Sequence, residues 1–239
     1  MTDDDTHERF PKARQVAEVA VGEGCGGRVR VKVCGITRVE DAWRAVRAGV
    51  DALGFNAWRG SRRWVDVRAA ALWMRDLPPF VTRVVLCINA PLEEALELSA
   101  LSGVDAVQFH GEESREYLAE FARHSPRPFI RAVRLENEAT LGTLNHWGTS
   151  HVLVDAAVPG AFGGTGALAD TRLARAAVER FPSLNVVLAG GLNPENVAHA
   201  VRCVKPYAVD VASGVESTEP GRKDFRKMAA FVESVRNAG

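Results

Sequence analysis

This α/β chain predicts a single closed (β/α)8 barrel, and three observations carry that reading. Eight short β-branched runs alternate with amphipathic stretches of helical length between residues 29 and 236. No Pro-, Gly- or Ser-rich linker divides the middle of the 239 residues, and 46% hydrophobic content suffices to bury one sizeable core. Several runs end on a glycine pair or a chemically capable side chain, which is where barrels of this kind hold their ligands. An open doubly wound sheet shares the alternation, since counting strands does not demonstrate closure. In either fold the C-terminal strand ends gather the ligand.

The elements follow in order. Residues 1–27 open acidic with Asp3, Asp4 and Asp5, pass through a short Ala/Val stretch and end in a glycine-rich lead-in around Cys25. They read as a loosely ordered N-terminal extension, leaving residues 28–239 as the barrel domain. Strands are expected at 29–33, 52–55, 83–88, 106–109, 129–133, 152–154, 186–189 and 208–211, each a short apolar or β-branched run. Apolar residues at three- and four-residue spacing, with charges on the other face, predict helices over 39–48, 67–75, 92–101, 114–123, 168–181, 194–204 and 224–236. Residues 136–147, between the fifth and sixth strands, are only weakly helical in pattern.

Thirty basic and thirty acidic residues cancel, and no basic stripe with interleaved aromatics is present, so nucleic acid is not an expected partner. The N-terminus lacks the apolar core of a signal peptide and no run approaches a membrane span, so the expectation is a cytoplasmic protein with no membrane partner. Four cysteines, Cys25, Cys34, Cys87 and Cys203, show neither a C-x-x-C pair nor zinc-ligand spacing, so no metal site is expected. Cys25, Cys87 and Cys203 read as small loop or core residues. Cys34 differs: it ends a strand and is followed by Gly35 and by Thr37, a helix-capping residue type.

Asp155 closes the sixth strand in the same manner and leads into the glycine-rich loop Gly160-Ala161-Phe162-Gly163-Gly164-Thr165-Gly166. A thiol and a carboxylate at two strand ends suggest proton transfer. After the seventh strand come Gly190 and Gly191, then Asn193 as a helix cap with Pro194 at the first helical position. After the eighth come Ser213 and Gly214. Paired turns at these two consecutive strand ends predict a phosphate site built from backbone N–H groups and a short helix N-terminus. Arg62 and Arg63, after the second strand, offer a guanidinium for a substrate carboxylate or form a solvated loop. His110, at the end of the fourth strand, is either a structural group or part of the pocket lining. Asp210 either anchors loops or accepts a hydrogen bond from the ligand.

Taken together, Lys32-Val33-Cys34-Gly35-Ile36-Thr37, Asp51-Ala52-Leu53-Gly54-Phe55, Val107-Gln108-Phe109-His110-Gly111, Val154-Asp155 with Gly163-Gly164-Thr165-Gly166, Leu188-Ala189-Gly190-Gly191-Leu192-Asn193-Pro194 and Val209-Asp210-Val211-Ala212-Ser213-Gly214-Val215-Glu216 resemble, in order and spacing, the phosphoribosylanthranilate isomerase family. The resemblance runs from about residue 29 to the C-terminus. It implies a TIM barrel of tryptophan biosynthesis that converts N-(5-phosphoribosyl)anthranilate to 1-(2-carboxyphenylamino)-1-deoxyribulose 5-phosphate with no cofactor. By position it implies Cys34 as general base, Asp155 as general acid, Arg63 at the anthranilate end, Asp210 near the substrate, and Gly190, Gly191, Ser213 and Gly214 as the phosphate grip. The partner implied is a small phosphorylated substrate, and the chain is compatible with a monomer or a homodimer.

The chain departs from the family pattern in two places. Ala57-Trp58-Arg59-Gly60-Ser61-Arg62-Arg63-Trp64 replaces the commoner F-x-x-x-S-P-R-x-I, which leaves Arg62 and Arg63 both open although spacing favours Arg63. Ala156 follows the acid where relatives commonly carry threonine. The alternative is a barrel that binds sugar phosphates with another specificity or without turnover, and retention of both Cys34 and Asp155 argues against it.

Overall fold

Eight parallel strands close on themselves in sequence order, the first pairing with the last, so the barrel expected from the strand count is the fold observed. The computed structural model describes residues 27–155 and 171–238. The Gly160–Gly166 loop, Ala156, Cys25 and nearly all of the N-terminal extension therefore lie outside the described residues. The elements run β1 (Arg30–Cys34), α1 (Val39–Ala48), β2 (Ala52–Asn56), α2 (Val67–Met74), β3 (Thr82–Cys87), α3 (Leu92–Ala100), β4 (Ala106–Phe109) and α4 (Arg115–His124) in the first half. The second half runs β5 (Phe129–Arg134), α5 (Glu138–Leu141), β6 (His151–Asp155), α6 (Thr171–Arg180), β7 (Asn185–Ala189), α7 (Val197–Val204), β8 (Ala208–Val211) and α8 (Phe225–Arg236). Among the described residues no helix is long and apolar enough to cross a membrane.

Local chemistry sets the helix ends. Asp66 accepts from the Arg68 and Ala69 amides, Ser114 from Tyr117 and Asp224 from Lys227, each satisfying amides that a first helical turn leaves without partners. Gly49 ends α1 in the left-handed region at φ 87°. The weak pattern over 136–147 resolves into the four-residue α5, held by an Asn137/Thr140 capping box, and a 3-10 turn at Leu144–His146.

One expectation needs correction. The helix predicted over 194–204, with Asn193 capping it and Pro194 at its first position, starts at Val197 instead. Asn193 Oδ1 does accept from the Glu195 and Asn196 amides at 3.0 and 2.9 Å, but this closes a turn. Asn196 answers by accepting from the Asn193 amide at 2.9 Å and donating to the Gly191 carbonyl at 3.0 Å. These reciprocal side-chain bonds hold the backbone in a turn that a helix would have to give up.

Strand alternation sorts side chains into two packed layers. Val33, Leu53, Phe55, Val107, Phe109, Val152, Val154 and Leu188 face outward into the sheet–helix layer, where Phe109 meets Phe121 and Phe129 edge to face. A smaller cluster of Ala132, Leu153, Val187, Ala189 and Ala208 fills the barrel itself, with Ile130 packed on it. The barrel interior sets Lys32, Gln108 and Asp210 beside its apolar cluster, while the outer layer is hydrophobic around a buried ion pair.

That pair joins Arg131 of β5 to Glu113 in the loop after β4, at 2.6 Å. Glu113 also accepts from the Asn89 and Gly111 amides at 2.8 and 3.0 Å, while Arg131 donates to the Gly111 carbonyl and lies over the Trp147 ring. The carboxylate thus ties the loops after β3 and β4 to β5. Removing one member of a buried pair strands the other charge, at a cost of about 3–5 kcal/mol. We therefore expect Glu113→Ala to lower the urea-unfolding free energy by roughly that amount; an unchanged midpoint and slope would refute the role given to Glu113.

Candidate active site

Cys34 is the last residue of β1 and is buried, with 8% exposure. Its neighbour across the ladder is Gly54, where a Cβ would stand 2.7 Å from the sulfur, so the sheet makes room for the thiol by omitting a side chain. Lys32 lies two residues earlier and therefore on the same inward face. Its Nζ donates to Asp210 Oδ1 of β8 at 2.8 Å, and its charge acts on Cys34 as well. Burial opposes the charge on Lys32, but Asp210 and Cys34 outweigh it and hold the ammonium above its ordinary pKa. Burial pushes the Cys34 thiol up, against the pull of Lys32 and Lys223.

Arg63 comes from the loop after β2 and packs against the residue next to Cys34, since a Cβ on Gly35 would collide with the Arg63 side chain. Its guanidinium forks onto Glu216, with Nε to Oε1 at 2.6 Å and Nη2 to Oε2 at 2.9 Å. Lys223, whose side chain is 0% exposed, donates to the same Oε1 at 3.1 Å and to the Ala212 carbonyl at 3.0 Å. Burial raises the Glu216 pKa, but hydrogen bonding and charge from Arg63 and Lys223 reverse this and hold the carboxyl below its ordinary range. Arg62 is exposed and Arg63 half-buried, so of the two arginines only Arg63 belongs to this group.

Across the mouth, Asp155 ends β6 half-buried, paired in register with Arg134 and Ala189. His110 follows β4, opens to solvent and stands with Nδ1 3.2 Å from Gln108 Nε2. The surrounding protein holds its pKa below the ordinary value, and Asp155 and Asp210 pull the other way. His110 directly after β4, Asp155 at the end of β6 and Cys34 at the end of β1 thus all stand at the same end of the closed barrel.

Gly190 and Gly191 take positive φ angles of 101° and 63°, and a Cβ on Gly191 would meet nothing within 4 Å. Gly214 opens a different constraint: a Cβ there would collide with the Leu192 carbonyl oxygen. The loops after β7 and β8 thus touch backbone to backbone, and a 3-10 turn at Ser213–Val215 follows β8 directly. The open space over Gly191 and the close approach of the two loops suit an anion.

Of the residues singled out in the sequence, Cys34 and Asp155 end β1 and β6, His110 directly follows β4, Asp210 lies in β8, and Arg63 and the two glycine turns lie in the loops after β2, β7 and β8. Sequence reasoning missed Lys32, Glu216 and Lys223. Lys32 was legible, because period-two alternation from Cys34 turns it inward. Glu216 stands in a quoted motif, but its partner Arg63 is 153 positions away. Cys87 is buried in β3 as expected, and Cys203 is half-buried in α7 with its sulfur 3.3 Å from His199 Nε2.

Comparison with known proteins gives the same answer. The sequence model of the N-(5'-phosphoribosyl)anthranilate (PRA) isomerase family matches residues 31–234. The N-(5'-phosphoribosyl)anthranilate isomerase of Magnetococcus marinus is 44% identical over 210 residues, spanning 88% of this chain and 96% of that one. The crystal structure of phosphoribosyl anthranilate isomerase from Thermotoga maritima superposes with a TM-score of 0.78 at 38% identity, over 87% of this chain and 99% of that one. A phosphoribosyl anthranilate isomerase solved with reduced 1-(o-carboxyphenylamino)-1-deoxyribulose 5-phosphate superposes with a TM-score of 0.74 at 35% identity, with coverage of 87% and 99%. With this length of match on top of the barrel and its mouth, the chain belongs to the N-(5'-phosphoribosyl)anthranilate isomerase family.

Proposed function

We propose that the chain isomerises N-(5'-phosphoribosyl)anthranilate to 1-(2-carboxyphenylamino)-1-deoxyribulose 5-phosphate in tryptophan biosynthesis, with Cys34 as general base and Asp155 as general acid. The observation that carries the assignment of roles is the charge around the thiol. Three cations, Lys32, Arg63 and Lys223, are ion-paired with two carboxylates, Asp210 and Glu216, at the Cys34 end of the barrel, which leaves an excess of one positive charge. A thiolate at Cys34 neutralises the group.

The reaction is an internal redox exchange with no net gain or loss of atoms. Asp155 donates a proton to the ring oxygen as the C1–O bond breaks, while the anthranilate nitrogen lone pair forms an iminium at C1. The Cys34 thiolate removes the proton on C2, and the electron pair moves through C1 to nitrogen to give an enolamine. Tautomerisation then yields the C2 ketone and returns both residues to their starting states. Each proton-transfer group is worth on the order of 10²–10⁴-fold. The substrate is anionic at both ends. Arg63 uses one edge on Glu216 and keeps Nη1 for the anthranilate carboxylate, a contact its planar fork suits. Gly190, Gly191, Ser213 and Gly214 are assigned the phosphate, Asp210 a sugar hydroxyl, and His110 a neutral ring at the pocket lip. Every group comes from one chain, so the reading holds for a monomer or a homodimer. A phosphorylated substrate that does not cross membranes unaided supports a cytoplasmic location.

Three measurements test the assignment. With the substrate generated in situ from anthranilate and phosphoribosyl pyrophosphate, its fluorescence should decay rapidly on adding the wild-type chain. Cys34→Ala and Asp155→Asn should each lose roughly 10²–10⁴-fold in kcat with little change in KM; near-normal turnover in either removes its role. Arg63→Met should raise KM by roughly 10–100-fold, from ~1.5–3 kcal/mol for a charge-assisted contact, and an unchanged KM would take the carboxylate away from Arg63. Gly214→Ala should separate the two loops and weaken competitive inhibition by inorganic phosphate about tenfold, or ~1.4 kcal/mol. Undiminished phosphate inhibition would move the phosphate elsewhere.

A further inference from the structure

Lys223 and Glu216 have no place in the reaction as written, yet both are buried and both lie against it. Lys223 is 3% exposed and Glu216 6%. A fully enclosed lysine is uncommon unless it is paired, and this one is held at three points. Its ammonium donates to Glu216 Oε1 and to the Ala212 carbonyl, and its amide donates to Asp41 Oδ2 of α1 at 3.2 Å. Glu216 is fixed as firmly. It takes the Arg63 fork and the Gly221 amide at 3.1 Å, and its own carbonyl accepts from Lys227 Nζ at 2.8 Å. Thr37, on the loop that leaves Cys34, donates to the Gly221 carbonyl at 2.8 Å, so the first and last loops of the barrel are stitched around this carboxylate.

We propose that Lys223 and Glu216 are positioning residues for the isomerisation: Glu216 holds Arg63 at the carboxylate end of the substrate and Lys223 beside Cys34, so that one carboxylate fixes both substrate orientation and the ionisation of the base. The inference rests on the acid–base reading above. Its physical basis is electrostatic. Burial disfavours the Cys34 thiolate, and Lys223 acts on it through space together with Lys32, while Asp210 opposes them. Geometry sets these groups at the Cys34 end of the barrel: Lys32 precedes Cys34 by two residues on β1 and pairs with Asp210 of β8, Arg63 packs against Gly35, and Glu216 bridges Arg63 to Lys223. His110 and Asp155 stand across the mouth. Lys223 differs from Lys32 in having a carboxylate partner that is shared with Arg63, so a change at Glu216 reaches both the carboxylate end of the substrate and the base, and a change at Lys223 reaches the base alone.

The test uses Lys223→Met and Glu216→Gln in the full chain, with folding checked by urea unfolding. Alkylation by iodoacetamide, read on the Cys34 peptide by mass spectrometry from pH 6 to 10, reports thiolate formation without any catalysis. For Lys223→Met the alkylation profile should move to higher pH by roughly 1–3 units, the effect of one nearby opposite charge. Its kcat at pH 7 should fall about 10–1,000-fold accordingly, with KM nearly unchanged, and should recover as pH is raised through the new midpoint. Glu216→Gln should change both constants, raising KM as Arg63 loses its anchor. An alkylation profile identical to wild type in a folded Lys223→Met chain would overturn the proposal, as would a loss of rate that high pH does not restore, since damage to packing is indifferent to pH. If Cys34→Ala keeps its turnover, the acid–base reading fails on its own, while the alkylation shift still reports whether Lys223 governs the thiol.

Discussion

The ion pair between Lys32 and Asp210 sits on the seam where the first strand meets the last. The two residues are register partners across β1 and β8, and both turn into the barrel. An unpaired charge in that position would cost several kcal/mol in lost solvation, so closing the sheet and neutralising the charges are a single event. Cys34 follows Lys32 by two residues on the same face, and the pair therefore decides what the thiol meets. The sheet delivers the cation first and the sulfur at the next inward position, at the mouth.

A buried thiol among charges is a contest between two effects. Burial favours the neutral thiol, whereas each cation within a few ångströms favours the thiolate by an amount that a low-dielectric surrounding magnifies. Here burial prevails and the thiol pKa is raised. A base in this setting is poised without being spent, because the excess positive charge around it makes loss of the thiol proton easier than burial alone would allow. Under the proposed function the same cations also serve substrate binding, since Arg63 stands half-buried on a loop at the mouth. Carboxylates placed behind the cations, Asp210 and Glu216, keep them from being stranded charges and fix their directions.

How much of this was legible in the sequence divides along a physical line. The barrel was legible because each strand and helix writes its own period into the chain, and most boundaries agree within one or two residues. Asn193 shows the limit: its capping chemistry is real, but the side chain of Asn196 diverts it into a turn, and no local rule ranks those two uses of asparagine. Among site residues, Cys34 and Asp155 were legible because a strand end is a local fact. Arg63 could not be separated from Arg62 by chemistry alone, and its distinction comes from Glu216, reached only after the chain has travelled round the barrel. Long-range pairs carry no sequence period.

The position of Glu113 and Arg131 sharpens the contrast between stability and function. This pair resembles Glu216 and Arg63 chemically, a carboxylate gripping a guanidinium and loop amides. Arg131, however, is 6% exposed on the outward face of β5, sealed under Trp147, while Arg63 is half-buried on a loop above the strand ends. A guanidinium with all sides covered can only fix loops to the sheet. One left partly open on a mouth retains donors for a ligand. The same two residue types therefore acquire different roles from where the chain sets the guanidinium, on the outward face of a strand or on a loop at the mouth.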